Sequence, residues 1–315
     1  MPPAASQDSR RAAAHAAMAA APALPAGGRP WRTSGAHRSR LRTGLRSGSA
    51  AAGGLLVLGL ALLALLAPWL TPADPLNGDV HARLLPPGPG HPLGTDPLGR
   101  DLLARLLYGG RYSLGAAGVV ATATLLLGLT VGIVAGYFKG WVDAVLMRLA
   151  DLVRAFPGRI LALVLVGALG PGLKSLMLAM VAVSWVSQAR LVRGLTLAAR
   201  EQEYVLAARV CGLRPVAIVL RHILPAVLPQ VAVVMALDMS WFLMSLSAFS
   251  LLGLGVQPPA PEWGMMVSEA RPYFRTHPHL LLWPGVAIML AVLGFTLLGE
   301  GLRDAWDPHR RGVRP

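Results

Sequence analysis

Residues able to do covalent or metal chemistry are sparse in this chain, and nowhere do they converge. There is no G-x-x-x-x-G-K-[ST] loop to cradle phosphates, no H-E-x-x-H or Cys/His cluster to hold a metal, and no G-x-S-x-G elbow to expose a serine nucleophile. His277 and His279 stand two apart in a loop, which fits solvated side chains better than ligands, and His222 is isolated. The one cysteine, Cys211, excludes an internal disulfide and reads as a small helix residue rather than a reactive thiol. No catalytic residue, metal site or bound cofactor is expected. Energy for any active process has to come from a partner or an ion gradient.

What the chain does carry is a polar, helix-prone island, Glu201 to Pro229, within otherwise apolar sequence. Ala198 to Cys211 are good helix formers. Gly212 is placed to end that helix in a left-handed cap, and Pro215 suits the first turn of a second helix. Tyr204, Ala207, Ala208 and Cys211 recur at helical spacing and are expected to form one low-profile apolar face. Such a face suits a groove on another protein. A helix lying on lipid is the competing reading, but alanines offer little bulk to bury there.

The island must be held by membrane-spanning elements. Of 315 residues, 54% are hydrophobic and 14% charged, whereas soluble domains carry about 25% charged residues. The net charge of +14 is clustered, with eight basic residues before position 50 and six between Arg190 and Arg221. That is the bias of cytoplasmic segments; no aromatic-basic platform accompanies it, so nucleic acid is not expected as a partner. Residues 1–46 read as a disordered basic cytoplasmic tail. Spans are expected at Ser47–Ala73, Tyr112–Phe138, Trp141–Leu173, Ser175–Ala189, His222–Gly255 and Leu280–Gly299. Pro157 should kink the third of these. Its amphipathic entrance carries Arg148, Asp151 and Arg154 at spacings of three, so that they can pair along one helix face. Lys174 and Arg190 should snorkel from the ends of the short fourth span.

Gly128, Gly132 and Gly136 share a helix face and predict close helix packing. The segments 71–111 and 256–279 each carry balanced charge, which suits the external side. Six spans put both termini in the cytoplasm, with 304–315 as a C-terminal tail. The fold class is thus all-α and polytopic, divided into 1–46, a first span with its external segment at 47–111, a five-helix domain at 112–303, and the tail.

Several strings resemble the dipeptide/oligopeptide/nickel branch of ABC-importer permeases. They are HPLGTDPLGRDLLARLLYGGRYSL (91–114), AGYFKGWVDAVLMRLADLVRAFP (135–157), RHILP (221–225), LLGLGVQPPAPEWG (251–264) and LLGEGLRDAWDP (297–308), and Glu203–Ala208 followed by Gly212 looks like the EAA loop of that family. The resemblance implies a type I ABC importer permease in the cell membrane, with a second homologous permease, two cytoplasmic ATPases that use the ATP, and an external solute-binding protein. It implies an ATPase-coupling role for Glu203, Tyr204, Ala207, Ala208, Gly212 and Pro225, within a loop at about 198–222. Di- or oligopeptides are the expected cargo, with nickel or another small solute, or a secondary transporter, as alternatives. Where the branch usually has an acid, this chain has Leu246; Asp238 stands about two helical turns earlier. An intramembrane carboxylate is costly, so Asp238 either lines the pathway, meets a neighbouring subunit or is paired structurally.

Overall fold

The computed structural model describes residues 48–306. The tail expected at 1–46, and the part of the C-terminal tail beyond 306, lie outside the described residues. Within them the chain is helical, without a named strand. The helices are α1 (Gly48–Leu65), α2 (Leu102–Phe138), α3 (Gly140–Arg154), α4 (Gly158–Leu169), α5 (Leu173–Arg200), α6 (Glu203–Val210), α7 (Leu224–Leu251), α8 (Trp263–Ala270) and α9 (His279–Trp306). Five stretches, one of them α7 with the turns before it, are long and apolar enough to cross a membrane. α3 and α4 pass together as one candidate span, bent by 83°. The break holds Pro157, whose ring cannot sit inside a helix without clashing with the preceding turn.

Several span ends lie beyond the uncharged runs, and for a physical reason in each case. α2 begins at Leu102 rather than near Tyr112 because Asp101 caps it, accepting a 2.7 Å hydrogen bond from the Ala104 amide. The arginines of its first turns have partners within the chain. Arg111 donates to the carbonyls of Ala64 and Leu65, each at 2.7 Å, where α1 ends. α5 runs on to Arg200 because Arg193 makes a forked pair with Asp143 at 2.5 and 2.6 Å, and Arg190 pairs with Asp151. Arg190 therefore does not snorkel free. Nor does Asp151 bond along its own helix to Arg148 or Arg154; it reaches across to α5.

The most extensive helix contact joins α2 to α5. Gly128, Gly132 and Gly136 line it. A Cβ on Gly132 would lie 2.6 Å from both the Ala189 carbonyl oxygen and the Val192 Cβ, and one on Gly136 would lie 2.8 Å from the Thr196 Cβ. A Cβ on Gly128 would overlap Gln188. In lipid, where burial of apolar surface gives helices little reason to associate, such close backbone approach supplies the packing energy. α9 crosses α1 in the same manner, with Gly53 and Gly301 at the crossing. Gly132→Ala should therefore cost about 1–3 kcal/mol by overpacking, read as a lower thermal midpoint of the detergent-purified protein. Gly115→Ala, where a Cβ meets nothing within 4 Å, should leave the midpoint unchanged or raised. Equal effects of the two would contradict the seam.

Candidate functional site

The polar island lies between α5 and α7. α6 closes with paired hydrogen bonds of the Schellman kind: Leu213 N–H to the Ala208 carbonyl at 3.1 Å and Gly212 N–H to the Arg209 carbonyl at 2.9 Å. Gly212 takes φ +74°, a region costly for residues with a Cβ. Pro215 then opens a short helix, Pro215–Ile218, and a π turn at Val219–Ile223 leads into α7. Pro225 is the second residue after the π turn. It has no N–H for the carbonyl four residues back, and the wider turn makes room for its ring.

The island's inner side is apolar and closed. Val205 and Ala208 are buried with Val192, Ile218, Ile223 and Val227. Ala208 thus turns away from the face expected of it, because it sits three residues after Val205 on the side that meets α5 and α7. Tyr204, Ala207 and Cys211 stay exposed, as does Glu203 in the first turn of α6. Four further apolar side chains are exposed here that sequence reasoning did not single out: Leu206, Val210, Val216 and Leu220, with Val210 at 88%. Their signal was available, since Val210 and Val216 stand on either side of the glycine turn. The segment is tied to the end of α2 by Lys139–Glu201 at 2.9 Å, Arg200 Nη1 to the Tyr137 carbonyl at 2.6 Å, and Arg209 over the Tyr137 ring at 5.4 Å. The Lys139 hydrogen bond holds the Glu201 carboxyl below the usual carboxylate range.

Asp238 lies half-buried in α7. Its Oδ2 accepts a hydrogen bond from Gln188 Nε2 on α5. It also lines a cavity of about 470 Å³ with Arg154, Arg159, Ser184, Ser187 and Trp241. Among the described residues, the side chains of Arg154 and Arg159 make no hydrogen bond or ion pair.

At the other end of the spans, four charges that looked like balanced loop charge form one cluster. Arg100 Nε lies 2.5 Å and Arg105 Nη1 3.3 Å from Asp96 Oδ2, while their Nη2 atoms lie 3.1 and 2.8 Å from Glu269 Oε2. Asp96 and both arginines are buried. One acid of 256–279 thus joins one acid and two arginines of 71–111. Beside them Glu262, fully buried, accepts from the amides of Gly264 (3.0 Å) and Met265 (2.8 Å) and from Ser113 Oγ (3.1 Å), and Trp263 Nε1 donates to the Leu106 carbonyl at 2.9 Å. α8 is thereby fastened to α2.

This helical frame has a known counterpart. The family described as "Binding-protein-dependent transport system inner membrane component" matches residues 128–312, and the "N-terminal TM domain of oligopeptide transport permease C" matches 42–87. The chain belongs to this family of ABC importer permeases. It is a multi-pass inner-membrane permease, and membership implies ATPase and binding-protein partners. The nickel transport system permease protein NikC of Escherichia coli (strain K12) is 42% identical over 250 residues, 79% of this chain and 90% of the relative. The glutathione transport system permease protein GsiD of Pectobacterium atrosepticum is 41% identical over 280 residues, covering 89% and 91%. The dipeptide transport system permease protein DppC of Alkalihalophilus pseudofirmus is 38% identical over 257 residues, covering 82% and 84%. These relatives are transport permeases rather than enzymes. A solved structure of the MetNI methionine ABC transporter in an inward-facing conformation aligns with a TM-score of 0.51 at 18% identity, over 66% of this permease and 96% of that chain, and shares its fold.

In the permease, removing one partner of the buried charge cluster leaves the others uncompensated. Glu269→Ala is expected to cost about 3–5 kcal/mol, measured as a fall in thermal midpoint. Adding Arg105→Leu to the same chain should recover part of the loss. No fall with Glu269→Ala would contradict a structural role for the cluster.

Proposed function

We propose that this permease imports di- or oligopeptides together with a second, homologous permease subunit. In this reading the two external segments meet the solute-binding protein, and both termini lie in the cytoplasm. ATP is bound and hydrolysed by two partner ATPases and not by this chain. The observation that carries the coupling role is the two-sided build of the 198–222 segment. Its inner side is packed against α5 and α7, while Tyr204, Leu206, Ala207, Val210 and Val216 remain exposed. A helix fastened on one side and apolar on the other passes a push from an ATPase cleft straight to two long spans. The six basic residues between Arg190 and Arg221 support a cytoplasmic position for it. Glu203, Gly212 and Pro225 shape and orient the segment; Ala208 anchors it from within, and Tyr204 and Ala207 belong to its contact face.

The peptide assignment rests on chemistry shared with relatives, since two of the three named above, the glutathione and dipeptide permeases, are named for short peptides. The nickel permease keeps nickel as the second reading.

Ala207→Glu places a charge on the exposed face without disturbing the buried side. It should reduce uptake by the assembled importer at least tenfold and weaken co-purification of the ATPases, while the permease still inserts in the membrane at wild-type level. Ala208→Glu, on the buried side, should instead lower the yield of folded permease. Wild-type uptake by Ala207→Glu would sink the coupling role.

A further inference from the structure

The bend between α3 and α4 places charge where a membrane protein can hold it only for a reason. α4 has twelve residues, about 18 Å at 1.5 Å per residue, little more than half of a ~30 Å hydrocarbon core. Its first residue, Gly158, packs on Val183, a Cβ there falling 3.0 Å from Val183 Cγ1. Val183 is about 15 Å from the start of α5 at the helical rise. Arg159 stands next to this mid-depth point, Arg154 lies four residues before Gly158 across the bend, and Asp238 stands at the middle of the 28-residue α7. A guanidinium facing lipid at this depth costs about 2.5–3.5 kcal/mol on insertion scales. This face therefore meets water or another subunit rather than acyl chains.

The cavity around Asp238 does not end there. A second cavity of about 370 Å³, lined by Leu163, Met244, Ala248 and Phe249, also includes Arg159 in its wall. On α7 and its C-cap, Asp238, Trp241, Ser245, Ala248 and Leu252 line one cavity or the other at steps of three and four, a single helix face. The two cavities thus form one groove about 21 Å long by helical rise. Each lies within the ~300–1,000 Å³ typical of small-molecule sites. The first holds the charges, two hydroxyls and the aromatic rings of Phe156, Trp241 and Phe242; the second is mainly aliphatic, with Phe249. Two guanidiniums without partners face one carboxylate that Gln188 engages at a single oxygen. That balance repels a free divalent cation and attracts a carboxylate, while leaving Asp238 able to receive an ammonium group.

We infer that this groove is a cargo-binding site in the permease itself, selective for short peptides with free termini. Arg159, assisted by Arg154, takes the peptide carboxylate; Asp238 takes the ammonium; the apolar half receives side chains. The inference rests on the peptide reading above and adds a selective site within the membrane. A second permease subunit would close the groove's open side.

The test uses the complete importer, this chain with its partner permease, ATPases and binding protein, reconstituted in vesicles. ATP-driven uptake of dialanine is measured per assembled complex. Arg159→Gln and Asp238→Asn should each lower uptake at least tenfold, and Arg159→Lys should restore most of the loss because it keeps the charge. Wild-type import of dialanine with undiminished uptake by both neutral variants would overturn the groove as the site. Arg159→Lys as impaired as Arg159→Gln would overturn the charge role. A wild-type importer that takes up nickel ion but no dialanine would overturn the peptide reading, a result seen in the wild type before any variant is compared.

Discussion

The cost of an unsatisfied charge inside a hydrocarbon slab governs how this permease is put together. Its spans carry more charge than their apolar composition suggests, and several of these groups are answered by others far away in sequence. Asp143 holds Arg193 and Asp151 holds Arg190, clamping α3 across α5. Arg100 and Arg105 share Asp96 and Glu269, fastening the segment before α2 to α8. These pairs are poor sources of net stability, because desolvation offsets most of their attraction. Their value lies in geometry, since each is satisfied in one arrangement of helices only. Against that background Arg154 and Arg159 stand out as the charges of the mid-membrane region left without partners, on the one face where two cavities meet.

The glycine seam between α2 and α5 works with these pairs. It brings two long helices into backbone contact, and the same α5 ends in the turn that leads into α6. Lys139 and Tyr137 at the end of α2 hold Glu201, Arg200 and Arg209 at that turn. A displacement of α6 is therefore shared by α2 and α5 through their common end and by α7 through the π turn. The groove lies between α4, α5 and α7. The contact face proposed on α6 and the groove proposed for cargo are in this way borne by the same helices, as a coupled importer would need.

The apolar runs, the break at Pro157 and the turn at Gly212 and Pro215 were all legible in the residues, because each depends on neighbours within a few positions. The true starts and ends of α2 and α5 were not. Arg105, Arg190 and Arg193 read as boundaries until their partners are known, and those partners lie tens to more than a hundred residues away. Ala208 was misread for a related reason. Helical spacing puts it beside Tyr204 and Ala207, but which side of a short helix faces inward is decided by the helices it packs on. Asp238 could be flagged as costly, whereas its company of Gln188, Arg154 and Arg159 emerges only when α4, α5 and α7 are brought together.

The central claim is that the α4–α7 groove faces water and cargo rather than lipid. The single native cysteine makes a direct measurement simple. In a Cys211→Ser background, Arg159→Cys is introduced into the assembled importer and exposed to a membrane-impermeant thiol reagent, with Leu126→Cys, on an exposed apolar side of α2, as the lipid-facing reference. Reaction at position 159 well above that at 126 is the predicted result. Reactivity at 159 as low as at 126 in every nucleotide state would contradict the account.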